Sequence, residues 1–290
     1  MKKKDVALVL SSGGAKGFAH VGVINALERN GFNIHSVAGT SMGSLVGGLY
    51  ATGELDDFVS FMEGVDFREM IKMIDITIGN KGLIKGDKVI AQLKELIPDR
   101  NIEDLKLPFC AIATDIVTGK EKIFTHGKLY DAIRASISIP TVFTPYVLDG
   151  HYYVDGGVLN PIPVNRVERR KYDIVVAVNV NANIPVEKKA TTKKPGRKIP
   201  EQLKQLLEKI EGLIPQHSTD KIGLFNLTSK SLNLMINQIS ELTLKLDPPD
   251  IVIDLPTEAF GTFDFYKAAE IIESGDVVAE KAIKKYLRKT

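Results

Sequence analysis

Val37-Ala38-Gly39-Thr40-Ser41-Met42-Gly43-Ser44-Leu45-Val46-Gly47-Gly48 decides the fold. An apolar run enters at Gly39 and a small-residue run leaves after Gly43, with G-x-S-x-G between them. Only a sharp turn joins a strand directly to a helix over so short a distance. A serine at its apex takes strained backbone angles, and glycines on both sides remove side chains that would collide. The Ser41 hydroxyl then projects from the sheet beside the free N–H groups of a helix start. The same residues would also serve as an ordinary helix cap, since Ser and Thr favour that position. The surrounding sequence has to decide between the two.

Upstream, Val6-Ala7-Leu8-Val9-Leu10 reads as a buried strand running into Ser11-Ser12-Gly13-Gly14-Ala15-Lys16-Gly17, and then into a helix with Val21, Ile24, Ala26 and Leu27. Strand, glycine loop and helix together make an anion site, because loop N–H groups point outward and the helix start adds positive potential. The loop is not the nucleotide-phosphate pattern, since Lys16 precedes Gly17 and no Ser or Thr follows. Nor is it the dinucleotide fingerprint, because Ser12 holds the place of its first glycine. Close strand–helix–strand spacing implies parallel neighbours joined by a right-handed crossover. The glycine loop and Ser41 are then expected at one carboxyl edge, where open α/β sheets bind ligands. One stretch offers a nucleophile and the other offers donors for an oxyanion.

Further along, Phe109 to Ile116 reads as a core strand, Lys122 to Thr125 as its hairpin partner, and Leu129 to Ser138 as a helix stopped by Pro140. Asp155 closes the next strand and is followed by Gly156 and Gly157, which leave backbone approach to the carboxylate unhindered. A D-G turn would look the same. Asp173 to Val178 and Asp250 to Leu255 read as further strands, and Asp264 to Lys289 as a closing helix. The alternation predicts an α/β fold, a three-layer α/β/α sandwich around a mostly parallel central sheet.

A serine nucleophile ordinarily needs a histidine base. His20, His35, His126 and His151 all precede Asp155, and His217 has no strand–loop context, so none completes a Ser–acid–His order. All five are expected to be satisfied in the fold or solvent-facing. No metal-binding spacing is present.

The chain has 290 residues, 44% hydrophobic and 26% charged, with a net charge of +2. That balance predicts a soluble globular protein and argues against a dedicated nucleic-acid binder. Cys110, the single cysteine, lies in an apolar run and fits a buried strand in a reducing, cytoplasmic setting. Met1-Lys2-Lys3-Lys4 resembles the start of a signal peptide, but the apolar run behind it is too short for one. The expected organisation is a core over 6–180, a basic loop or linker over 181–217, and C-terminal helices with a last strand over 218–290 packing on the core. The lysines and arginine between Lys188 and Lys198 read as a solvated segment, with contact to anionic lipid surfaces as the alternative. The helical pattern from Ile222 to Leu246 reads as core, with the wall of an acyl pocket as the alternative.

Gly13 to Gly17, Gly39 to Gly43 and Asp155 to Gly157, in this order, resemble the patatin-like phospholipase family. The resemblance runs from about Val6 to Val167 and takes in Thr114 to Gly119 and Ile133-Arg134-Ala135-Ser136-Ile137-Ser138-Ile139-Pro140. It departs at Ser11-Ser12, where many members begin the loop with glycine. It implies a lipid acyl hydrolase with a Ser–Asp dyad, Ser41 as nucleophile and Asp155 as base. The N–H groups of Gly13 and Gly14, joined by Ala15, would form the oxyanion hole. Lys16, Gly17, Gly39, Gly43, Gly156 and Gly157 would support the motifs. Lys16 either brings positive charge to the site or pairs with an acid on the surface. The substrate would be a lipid or acyl ester, met from solution or by peripheral contact with a membrane surface, and no metal or other cofactor is implied. The alternative is a regulatory or adaptor protein that keeps this fold and binds a ligand or partner without turnover.

Overall fold

Eight strands, counted over the described residues, form one mixed sheet in a computed structural model that describes residues 4–64, 85–186 and 224–289. They are β1 Lys4–Leu10, β2 Phe32–Thr40, β3 Phe109–Asp115, β4 Lys120–Phe124, β5 Tyr146–Leu148, β6 His151–Asp155, β7 Ile174–Ala182 and β8 Ile251–Pro256. The order is β5-β6-β3-β2-β1-β7-β8, with β4 also on β3. The strands from β3 through β2, β1 and β7 to β8 are parallel, and β4, β5 and β6 join antiparallel. The sheet is mixed but mostly parallel, as expected, with β4 and the β5–β6 hairpin joining antiparallel at the β3 side.

The helices are α1 Ala19–Arg29, α2 Met42–Thr52, α3 Leu55–Gly64, α4 Asp87–Leu96, α5 Leu129–Ser136, α6 Leu224–Leu246 and α7 Ala268–Leu287. Strand alternation divides the core between the two faces of the sheet. Val6, Leu8 and Leu10 point to the larger cluster, which holds Ile24 of α1, Leu49 of α2, Ile133 of α5 and Ile271 of α7. Ala7 and Val9 point the other way, towards Cys110, Ile162 and Val167, with Leu244 of α6 against them. Asp87 reads from its sequence as the cap of α4, but Gly86 takes the cap position and Asp87 lies 3.5 Å from Arg134. Phe67–Ile74, which reads as a helix from its sequence, Ile76–Gly82, which reads as a loop, the basic stretch Lys188–Lys198 and His217 lie outside the described residues.

The expectation of a core role for α6 is corrected by its exposure. Leu227, Leu234, Met235, Leu242 and Leu246 are all exposed, Leu234 at 71% and Leu246 at 79%. Leu232 and Ile236, on the opposite side of the helix, line a cavity. A period of 3.6 fixes an apolar stripe but does not say how many apolar stripes a helix has.

The position of the site follows from β3. Its residues Ala111 and Ile112 pair with Gly39 and Thr40 of β2 and with Phe124 and Ile123 of β4. Its residues Ala113, Thr114 and Asp115 pair with β4 and with Asp155, Val154 and Tyr153 of β6. A strand has only two edges, so β2 and β6 share the edge opposite β4 and meet end to end. Thr40 faces Ile112 and Asp155 faces Ala113, on consecutive rungs. Ser41 follows Thr40 directly and so emerges beside Asp155.

Candidate active site

Ser41 stands between the end of β2 and the start of α2 with φ 55° and ψ −125°. A positive φ is uncommon for a residue with a side chain and marks a strained turn. The neighbouring glycines make it possible. A Cβ on Gly39 would lie 2.3 Å from the Gly43 carbonyl oxygen, and one on Gly43 would lie 2.3 Å from that of Leu10. The Ser41 carbonyl starts α2 by accepting from Ser44 N at 2.8 Å. The Ser41 N–H donates to Ser136 Oγ at 2.8 Å.

Asp155 is 5% exposed, and one carboxylate oxygen, Oδ1, accepts from Gly157 N at 2.7 Å. The Ser41 side chain lies close enough to this carboxylate to favour its charged form. Burial pushes the acid up to about 6, against the lowering effect of the nearby Ser41 side chain and the Gly157 N–H. A carboxylate so shifted is a better proton acceptor than an exposed one. Ser41 and Asp155 line one cavity of about 90 Å³ together with Ser12, Gly13, Gly14 and Lys16.

The glycine loop is tied down at several points. Ser11 N donates to Val178 O at 3.1 Å, and Ser12 N to Pro161 O at 2.8 Å. Asn181 Nδ2 donates to Ser12 O at 2.6 Å. His20 Nε2 lies 2.8 Å from Ser11 O; a carbonyl only accepts, so this nitrogen carries the proton. Burial holds His20 down at about 4, so it is neutral at physiological pH. The loop then enters a short 3-10 turn, Gly14–Phe18, with Gly14 at φ +56°. The N–H groups of Gly13 and Gly14 take no acceptor among the described residues. Ala15 corrects the expected trio of donors, because its N–H donates to Thr262 O at 2.9 Å. The segment after β8 lies across the loop there and uses that donor.

Lys16 is 6% exposed, so the expectation of a surface pair with an acid is corrected. Its Nζ donates to Asn181 Oδ1 at 2.7 Å and to Thr257 Oγ1 at 3.1 Å. Both acceptors are neutral, and burial brings the ammonium down to about 8. Gly17 packs against Met42, whose Cγ a Cβ at Gly17 would meet at 2.4 Å. Gly156 lies against Ile112 O, and Gly157 faces Asp155 Oδ1 and Ser12 Oγ.

Each described histidine has a partner on one ring nitrogen, but Nδ1 of His20 and of His35 is buried without one. His35 Nε2 lies 2.9 Å from Asp173 Oδ2, His151 Nδ1 lies 2.8 Å from Asp115 Oδ2, and His126 Nδ1 lies 3.0 Å from Thr125 Oγ1. Sequence reasoning missed Asn181 and the place of Ser136, while the cavity-lining side of α6 matches the pocket-wall alternative weighed for that helix. The signal for Asn181 was present as Asn179-Val180-Asn181, polar residues inside an otherwise apolar buried strand.

The sequence profile described as patatin-like phospholipase matches residues 8–167, more than half of the chain. The protein belongs to the patatin-like phospholipase family. It is a family of lipid hydrolases, and its substrates are lipid esters. An uncharacterized NTE family protein of Mycobacterium tuberculosis is 29% identical over 330 aligned positions, which cover 97% of this chain and 92% of that protein. A patatin-like phospholipase domain-containing protein of Caenorhabditis elegans is 36% identical over 183 residues. That match spans 61% of this chain and 14% of the nematode protein. The crystal structure of VipD from Legionella pneumophila aligns with 99% of this chain and 67% of its own, at 12% identity and a TM-score of 0.46. No helix among the described residues is long and apolar enough to cross a membrane.

Proposed function

We propose that this family member is a serine esterase of lipid acyl groups that works through a Ser41–Asp155 dyad. Asp155 takes the Ser41 proton as the Oγ attacks the ester carbonyl carbon. The tetrahedral oxyanion is held by the N–H groups of Gly13 and Gly14. Collapse expels the alcohol, which leaves with the proton from Asp155, and the acyl group stays on Ser41. Water then attacks the acyl carbon, gives its proton to Asp155, and releases a fatty acid as Ser41 is reprotonated.

One observation carries this reading: Ser41 and the buried Asp155 carboxylate line one cavity, at the edge where two loop N–H groups have no acceptor among the described residues. A base near 6 lies close enough to neutral pH for useful proton transfer. A preorganised donor is worth about 2.7–4 kcal/mol in other acyl-transfer sites, so two donors can offset a modest base. Lys16, charged below about pH 8, adds positive potential to the cavity wall.

The same reading includes peripheral contact with lipid surfaces. The exposed leucines of α6 support it, since the other side of that helix lines the cavity. Leu234→Ser with Met235→Ser should lower recovery in vesicle flotation, and unchanged recovery on neutral and anionic vesicles would remove this part.

The test of the whole is a lipid-ester panel read by product mass spectrometry. Fatty acid should appear with the wild-type protein and be absent with Ser41→Ala. A wild-type protein that releases no acid from any lipid class, yet retains a protein partner in pull-down, would favour a regulatory role.

A further inference from the structure

The stretch Ile133 to Pro140 takes no part in the chemistry described above, yet its middle touches both halves of the proposed dyad. Ser136 ends α5 and is fully buried. Its Oγ accepts from Ser41 N at 2.8 Å and donates to Ile112 O at 2.6 Å. A hydroxyl has one proton, and Ile112 O can only accept, so the proton points at Ile112 and a lone pair points at Ser41. Two residues on, Ser138 O accepts from Asp155 N at 2.9 Å. The turn is fixed from behind by Arg134, whose Nη1 donates to Ser138 Oγ at 2.6 Å, while that Oγ donates back to Arg134 O at 2.8 Å.

Ile112 pairs with Thr40, on the last rung that β3 makes with β2 before β6 takes over. The Ser136 hydroxyl plugs the place where the two strands meet. We propose that the Ser136–Ser138 turn sets the spacing between Ser41 and Asp155, with Ser136 as a positioning residue that holds the strained Ser41 backbone. Ser136 exchanges no proton with substrate and acts only through Ser41. The inference rests on the dyad reading above, and its test separates the two.

The comparison variant is Ser36→Ala. Ser36 is also fully buried and donates from Oγ to a backbone oxygen, Glu168 O at 2.6 Å, but it sits in the middle of β2, away from the Ser41 turn. Ser136→Ala should lower kcat about 10- to 100-fold with KM within about twofold, the pattern of a lost alignment rather than lost binding. Fluorophosphonate labelling of Ser41 should slow by a similar factor. Hydrogen exchange in the peptide carrying Ser41 should speed up. Ser36→Ala should leave all three within about twofold of wild type, at a similar loss of melting temperature. The proposal is overturned if Ser136→Ala matches Ser36→Ala in kcat and in exchange at Ser41, or if only its KM changes. A wild-type protein that neither turns over esters nor labels at Ser41 contradicts the dyad, and the exchange measurement still reports on Ser136.

Discussion

Two buried aspartates at opposite ends of the sheet have opposite characters. Asp155, at the carboxyl edge, has one backbone donor with the Ser41 side chain nearby, and burial pushes it up to about 6. Asp173 lies just before β7 at the amino edge and is 8% exposed. Burial pushes it up as well, but Arg169 Nε at 2.9 Å, Arg170 N at 2.7 Å and His35 Nε2 at 2.9 Å outweigh this and hold it below the ordinary range. The number and charge of the donors separate a carboxylate that can take up a proton from one fixed as an anion. The contrast teaches that burial alone does not make a catalytic acid. An under-solvated one must be left short of donors, at a cost in stability, and such costs gather at functional sites.

The largest expected effect is on turnover. Asp155→Asn should lower ester hydrolysis by roughly 10³-fold or more, as losing a base does in other serine hydrolases. Asp173→Asn should leave kcat within a few-fold. Equal losses in the two variants would erase the distinction. Stability should run the other way. Asp173→Asn removes the anion from a buried cluster and should cost roughly 2–4 kcal/mol in denaturant unfolding.

Asp155→Asn should cost little or even stabilise above pH 6. A rise from 3.8 to about 6 corresponds to roughly 3 kcal/mol. The sign follows from linkage: the folded state binds the Asp155 proton more tightly, so this group favours folding below 3.8 and loses that contribution as pH rises through 6. Asp173 does the reverse, contributing above its unfolded value of 3.8 and losing that contribution as pH falls through its lowered folded value. Melting curves from pH 3 to 8 should therefore show the Asp155→Asn difference from wild type changing between about 4 and 6, and the Asp173→Asn difference changing only below about 4. An Asp155→Asn difference that stays constant from about pH 4 to 6 would contradict the assignment. For activity, kcat/KM should fall about tenfold for each pH unit below about 6, because protonated Asp155 cannot accept the Ser41 proton. The smallest effect is expected for Ser12→Gly. The Ser12 hydroxyl is buried without a partner, and its loop is held through backbone N–H and C=O groups, so turnover should stay within about threefold.

Much of the site is legible in local sequence. The Gly39–Gly43 turn, the Gly13-Gly14 loop and the Asp155-Gly156-Gly157 corner each follow from backbone sterics over a few residues. Parallel pairing of β1 with β2 follows from the short crossover. The rest depends on register between distant strands. That β6 continues the line of β2 along β3 cannot be read from either strand alone. Ser136, Asn181 and Thr262 enter the site only because those long-range pairings bring them there, and Thr262 removes Ala15 from the donor set for the same reason. The outward leucines of α6 were illegible for another reason: a hydrophobic period does not distinguish a buried face from an exposed one.

Labelling with a fluorophosphonate, followed by peptide mapping across pH 5 to 8, tests the Ser41–Asp155 assignment most directly. The account predicts a single adduct on Ser41, a labelling rate that climbs through pH 6, and near-complete loss of labelling in Asp155→Asn. An adduct on another residue, or a Ser41 rate indifferent to both pH and Asp155, would contradict it.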